Sequence, residues 1–340
     1  MSRRTYFAQK RMVGLKVADG RMAEIKDAVN SLMATEDSVY IKDRVEFEAN
    51  KAHLTDIASY SGYGFSSCGQ RIGFPANFLA KHAIKEHKDT VAQIMTDCYN
   101  DFFDKAEQAK DNRSSKSLLI RSFDGQIAGV LSDKYSIFDD NEVVELLEGN
   151  DYLMNAEEIW YVSSAEHFHA RFISKDTLDF DGDDSPLHFC VFVDNSMVGD
   201  SSLRVRFGLY RSACTNGMIW DFKQFEIVKE CHKGAKEYAT ILADALSKCA
   251  EYEEILKKAV EEMAMTKSNV YAMEDEKALS FLRDNLNIGK KACGKILDFY
   301  KNTYGGASKW DLANAITEYA HEAESISERV RLERLATKVA

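Results

Sequence analysis

Alternation of apolar and polar positions is clearest over residues 187–232, where three segments carry the two-residue period of half-buried strands. Phe189, Val191 and Val193 share one face of the first segment. Leu203, Val205, Phe207 and Leu209 share one face of the second, which turns Arg204, Arg206 and Tyr210 the other way. Cys214, Thr215, Asn216 and Gly217 open the third with an Asn-Gly turn signal. Met218, Trp220 and Phe222 alternate there, but Phe225 and Ile227 take the opposite parity, so a bulge is expected near Lys223 and Gln224. The stretch reads as an antiparallel meander.

Upstream the period changes repeatedly. Met22, Ile25, Val29 and Leu32 form the stripe of an amphipathic helix over 21–33. Val39, Ile41, Val45 and Phe47 suggest short strands or a hairpin turning at 42–44. Pro75 suits the first position of a helix, and another is expected over about 89–109. Segments 117–123 and 126–131 read as a hairpin turned by Asp124 and Gly125. Asp139 and Glu142 then have capping-box spacing ahead of Val143, Leu146 and Leu147. A further strand pair is expected over 157–163 and 167–173.

Beyond Gly234 the spacing becomes helical. Tyr238, Leu242, Ala245, Cys249, Tyr252, Leu256, Ala259 and Met263 recur in steps of four and three, as do Leu312, Ile316, Tyr319, Ala323, Ile326 and Val330. Shorter helices are expected over 276–286 and 290–304, broken at Asn287 and at Gly305-Gly306. The seams close either on the sheet or on another subunit, so a homo-oligomer through the C-terminal helices is one expectation. The fold class is α+β, with N-terminal helices and a hairpin (1–112), an antiparallel sheet core (113–232) and a C-terminal helical region (233–340), or these intertwined as one domain.

At 340 residues the chain is long enough for one large or two ordinary cores. No apolar run approaches the length of a membrane span, and no apolar segment of a secretory signal follows the basic start. Seven scattered cysteines without a CxxC pair suit a reducing cytoplasm. The net charge of -11 argues against indiscriminate nucleic-acid coating, although it leaves room for a local basic face.

Candidate chemistry is correspondingly local. Arg204, Arg206, Tyr210, Arg211 and Lys223 lie on or beside neighbouring strands. On one exposed face they form a basic stripe with an aromatic to stack on an unpaired base. The alternatives are ordinary solvent-facing residues, or arginines held in ion pairs beneath the C-terminal helices. Arg3 and Arg4 head a basic terminus that suits phosphate or plain solvation. Lys134 and Tyr135 follow a strand end, a common place for a binding loop. Asn195, Ser196, Gly199, Asp200 and Ser201 form either a polar pocket or a tight loop, and Asn216 sits in the next turn. Cys214 reads as a buried thiol, because no base is identified by spacing. His167 with His169, and His188 with Cys190, share strand faces but do not have the spacing of a closed zinc site, so no metal is expected. Gly62, Gly64, Gly69 and Gly73 fit no dinucleotide or phosphate loop, and no cofactor is expected.

Four phrases, RIGFPANFLAKH (71–82), LLIRSFDGQIAGVLSDKYSIFDDNEVVELL (118–147), VFVDNSMVGDSSLRVRFGLYRSACTNGMIW (191–220) and SKWDLANAITEYAHE (308–322), together resemble the domain-of-unknown-function 932 family. That family is found in phages, plasmids and integrative elements. The resemblance implies a phage or mobile-element accessory protein of DNA metabolism in the cytoplasm of a bacterial host. The expectation is binding of single-stranded or distorted DNA without catalysis, with an acidic factor that redirects a host enzyme as the alternative.

Overall fold

The strands form two sheets in the computed structural model, which describes residues 14–16, 21–82, 87–109, 115–178, 186–211, 218–234, 236–320, 322, 331–332 and 335–336. The smaller sheet grows from the expected hairpin. Strands β3 (Leu118–Phe123) and β4 (Gln126–Ser132) are joined by Asp124 and Gly125 at φ of 50° and 74°, the positive values that a primed two-residue turn requires. Strand β2 (Asp37–Ile41) pairs antiparallel with β3. Val45 and Phe47, whose alternation suggested a hairpin, instead lie on helix α2 (Arg44–Leu54). Asp43 decides this, because its carboxylate accepts from the N–H groups of Val45 and Glu46 at 2.9 and 3.0 Å, an N-cap worth about 1 kcal/mol.

Helices α2, α3 (Gly62–Ile72), α4 (Ala76–His82) and α5 (Lys88–Gln108) share a core with this sheet. Phe47 stacks on Tyr99 there with ring centroids 4.7 Å apart. Tyr60, Cys68 and Tyr99 interlock beneath them, and burial pushes the Cys68 thiol up to about 11, which makes it inert packing.

The larger sheet is antiparallel throughout, in the order β1 (Gly14–Lys16), β5 (Glu158–Ser163), β6 (Phe168–Leu178), β7 (Leu187–Asn195), β8 (Leu203–Arg211), β9 (Met218–Glu230). The expected bulge is present. Arg206 pairs with Glu226 and Gly208 with Asp221, so residues 222–225 stand opposite Phe207 alone. One face, with Phe172, Val191, Val193, Val205, Phe207 and Leu209, builds the main core. Helices α1 (Arg21–Met33), α6 (Asp140–Glu148) and α7 (Asp151–Met154) contribute to it from the N-terminal side.

The first heptad series closes on this face. Tyr238, Leu242, Ala245, Cys249 and Leu256 are all buried, but on two helices, α8 (Tyr238–Leu246) and α9 (Cys249–Met265), which meet at Ser247 and Lys248. Phe207 and Tyr252 pack with centroids 4.8 Å apart, so the seam is filled by the chain's own sheet. Helix α10 (Asp275–Leu286) ends at Asn287, in the left-handed region at φ 52°. Helix α11 (Lys290–Asp298) runs into a π turn (Phe299–Thr303), and α12 (Lys309–Ala320) buries Trp310, Leu312 and Ile316. Ala323, Ile326 and Val330 lie outside the described residues.

The fold is thus α+β with a helical C-terminal region. Its two cores cross the sequence segmentation. The hairpin of β3 and β4 completes the N-terminal sheet, whereas α1 packs against β5 and α6 in the larger core. No described helix is long and apolar enough to cross a membrane.

Candidate functional site

The second face of the larger sheet carries charged and polar residues around a small apolar cluster of Ile173, Cys190 and Phe192, and the register arranges it in rows. His169, Asp194, Arg204 and Lys229 lie side by side across β6, β7, β8 and β9. Arg171, Phe192, Arg206 and Glu226 form the next row. Alternation makes this unavoidable once Ala170, Val193 and Val205 face the core.

Asp194 is the centre of the first row and is buried. Its Oδ1 lies 2.7 Å from His169 Nδ1, and its Oδ2 accepts from the Arg206 guanidinium. Arg171 Nε donates to His169 Nε2 at 2.7 Å. An arginine N–H can only donate, so Nε2 carries the lone pair and the ring proton sits on Nδ1, aimed at Asp194. Burial disfavours the imidazolium and holds His169 down to about 4. Burial alone would raise Asp194, but Arg206 and then His169 hold it well below the usual carboxylate range. Both guanidiniums also sit over the Phe192 ring, at 5.7 Å for Arg171 and 5.5 Å for Arg206.

A turn and a loop meet at the end of these strands. Ser164 and His167 close the turn between β5 and β6, with the His167 N–H donating to Ser164 Oγ at 3.1 Å. The His167 ring stacks beside His169 and faces Asp194, its Nε2 3.6 Å from Oδ1. Burial lowers His167, but Asp194, Asp200 and Asp140 outweigh it and hold the imidazole above its ordinary value. From the loop between β7 and β8, Ser201 places Oγ 3.5 Å from His167 Nδ1 and donates to the Asn195 carbonyl at 3.3 Å.

That loop is anchored to both halves of the molecule. Ser196 Oγ accepts from the N–H groups of Val198 and Asp200, Tyr135 OH donates to the Ser196 carbonyl at 2.8 Å, and Arg121 Nη1 donates to the Met197 carbonyl at 3.0 Å. Arg121 is buried and also holds Glu36 and Asp139. Asp139 stands at the N-cap position of α6, but its carboxylate pairs with Arg121 and makes no cap bond, so the Asp139 half of the expected capping box is missing, while the Glu142 carboxylate accepts from the Asp139 backbone N–H. Asn195 Nδ2 reaches the Phe138 carbonyl at 3.0 Å and Asp140 Oδ1 at 2.8 Å. Asp140 is fully buried, and burial raises its carboxyl to about 7, against the pull of Asn195.

The donor atoms of His167, His169 and Asp194 lie within 4.8 Å of one another, close enough to raise the question of a metal. The network argues against one. A cation on His169 Nδ1 would move the proton to Nε2, where it would meet the Arg171 N–H, and Arg206 already holds Asp194. The set is an ion-pair network around one carboxylate.

The sequence candidates fall into distinct places. Arg204, Arg206 and Tyr210 share the face opposite Leu203, Val205 and Phe207, but Arg206 is only 3% exposed and pairs with Asp194. The open stripe is therefore corrected at Arg206, which the register turns toward a carboxylate. The C-terminal helices pack on the opposite face of the sheet. Arg204 and Tyr210 are half-buried, Tyr210 beside His188. The backbone of Arg211 and Lys223 lies in β8 and β9, and their side chains are outside the described residues, as are Arg3, Arg4 and Asn216. Asn195 and Tyr135 brace the loop, Lys134 is half-buried, and Gly199 is exposed at φ 77°. Asp194, Arg171, Asp140 and Arg121 were not singled out by sequence reasoning. A signal existed in Asp194, a charge ending an otherwise apolar strand.

No curated protein and no solved structure matches the chain. A family model does, that of the domain of unknown function DUF932, over residues 128–338, from β4 to the C-terminal helices. This span holds His167, Asp194, Ser201 and strands β5 to β9 of the larger sheet, and on it the chain belongs to the DUF932 family.

Proposed function

We propose that the protein is a nucleic-acid-binding accessory factor of phage or mobile-element DNA metabolism, acting in the cytoplasm of a bacterial host on single-stranded or distorted DNA. The observation that carries this reading is the row in which Arg204 stands directly beside the exposed Lys229 on β9, the edge strand of the larger sheet. Two neighbouring cations at a sheet edge can follow a phosphate backbone, and Tyr210 on the same face offers a ring for a base. On this reading the contact falls on Arg204 and Lys229, since Arg206 is buried against Asp194.

The test is binding of labelled single-stranded and duplex DNA over a salt series, with Arg204→Ala and Lys229→Ala. Each substitution should weaken binding to all sequences alike and reduce the salt slope by about one. Arg206→Ala is unsuited to this test, since it strands a buried carboxylate. Absence of salt-sensitive binding at low salt would overturn the reading and turn the search to host proteins.

A further inference from the structure

We infer that Ser201, His167 and Asp194 form a nucleophile–base–carboxylate relay that transfers the acyl group of a small neutral carboxylic ester to Ser201 and then to water. Ser201 Oγ lies 3.5 Å from His167 Nδ1, and the other ring nitrogen, Nε2, lies 3.6 Å from Asp194 Oδ1. Both separations exceed those of formed hydrogen bonds and fall in the looser range such groups show before substrate is bound. Spacing along the chain gives no hint of the grouping. It arises because Phe168 pairs with Asn195, which brings the β5–β6 turn and the β7–β8 loop to one end of the sheet.

The order of burial suits the chemistry. Ser201 and His167 are partly exposed and Asp194 is buried, with exposed Gly199 and Asp200 on the open side. Arg206 and His169 fix both oxygens of Asp194, so the carboxylate stays ionised and cannot turn away from His167. His169 cannot take the base's part, because both of its ring nitrogens are engaged. Asp194 and Asp200 both act on His167, and an anionic phosphate ester would meet their repulsion. A neutral ester would not.

In the first step the Ser201 proton passes to His167 Nδ1 while Nε2–H faces Asp194. The Ser201 Oγ–C bond forms, the C–O bond to the alcohol breaks, and Nδ1 returns the proton to the departing alkoxide. Water then gives a proton to Nδ1 and attacks the acyl carbon. Ser201 leaves with that proton, and the products are an alcohol and a carboxylic acid.

The experiment treats the full chain with a neutral fluorophosphonate, which phosphonylates activated serines with loss of fluoride, and maps the adduct by peptide mass. p-Nitrophenyl acetate is followed in parallel. The expected result is an adduct on Ser201, a p-nitrophenol burst that Ser201→Ala abolishes, and a labelling rate about 10²-fold lower in His167→Asn. Labelling should also rise with pH as His167 loses its proton, a dependence absent from His167→Asn. Circular dichroism of both variants confirms that they are folded. The proposal is overturned if folded protein gives no Ser201 adduct, or if His167→Asn is labelled as fast as the parent, which would mark Ser201 as an ordinary hydroxyl bonded to the Asn195 carbonyl.

Discussion

Gly129 and Val198 touch where a side chain on the former would have no room: a Cβ built on Gly129 would stand 2.8 Å from the Cβ of Val198. This contact joins the hairpin of the smaller sheet to the loop of the larger one, and it holds the loop that carries Ser201. Gly129→Ala should therefore push the loop away and cost about 1–3 kcal/mol by overpacking. Gly64→Ala should cost more, since its Cβ would fall 1.9 Å from the Ile127 carbonyl oxygen, a backbone atom. Urea denaturation of both variants checks the order. Equal stability of Gly129→Ala and the parent would show that the joint is loose.

Arg121 holds the same joint electrostatically. Its guanidinium binds Glu36 after α1, Asp139 before α6 and the Met197 carbonyl of the loop, and it lies over the Phe123 ring. Burial opposes its charge, but Asp139 and then Glu36 outweigh burial and raise it above the ordinary arginine value. Arg121→Met keeps most of the volume and strands two carboxylates, so a loss of about 3–5 kcal/mol is expected from the denaturation midpoint. Asp139→Asn in the same background should recover part of it, because one stranded charge is removed.

Periodicity made most of the fold legible, and the reasons are local. Asp124-Gly125 favours the positive φ values of a primed turn, Phe225 and Ile227 announce the bulge by their parity, and Asn287 stops a helix with its left-handed backbone. What pattern could not decide was competition between a cap and an alternation, as at Asp43, or the use of one carboxylate by a distant cation, as at Asp139. The candidate site was only half visible for the same reason. His167 and His169 could be placed on one face by parity, but Asp194 reaches them across a strand pairing 25 residues away in sequence at His169. Burial of Arg206 likewise depends on what faces it, and sequence spacing does not encode that.

His169 sets the acid limb of stability. The unfolded imidazole takes a proton near pH 6.5, whereas the folded one resists until about 4. The unfolded state therefore binds more protons in this window, and stability falls as pH drops through it, by up to about 3 kcal/mol. His169→Gln removes the titration, so relative to the parent the variant should gain stability as pH drops from 6.5 to 4, by up to about 3 kcal/mol. An unchanged slope would mean that another group carries the acid limb.

Asp140 works in the opposite direction over much of the same range. Its unfolded carboxyl ionises near pH 4, but in the buried site the proton is kept until about 7. The folded state binds the extra proton between these values, so this group lowers stability as pH rises through the window and contributes no further change above it. The ceiling is about 4 kcal/mol. Because this slope opposes that of His169 between about pH 4 and 6.5, the parent profile can look flat while both effects operate. Asp140→Asn separates them. The amide keeps an acceptor for Asn195 Nδ2, needs no proton and stays neutral at every pH. It should match the parent near pH 4, exceed it by a few kcal/mol at pH 8, and expose in between the steep acid limb that Asp140 conceals. Urea denaturation across that range reads both arms, and a variant less stable than the parent at pH 8 would show that the ionised Asp140 is stabilised by a partner other than Asn195.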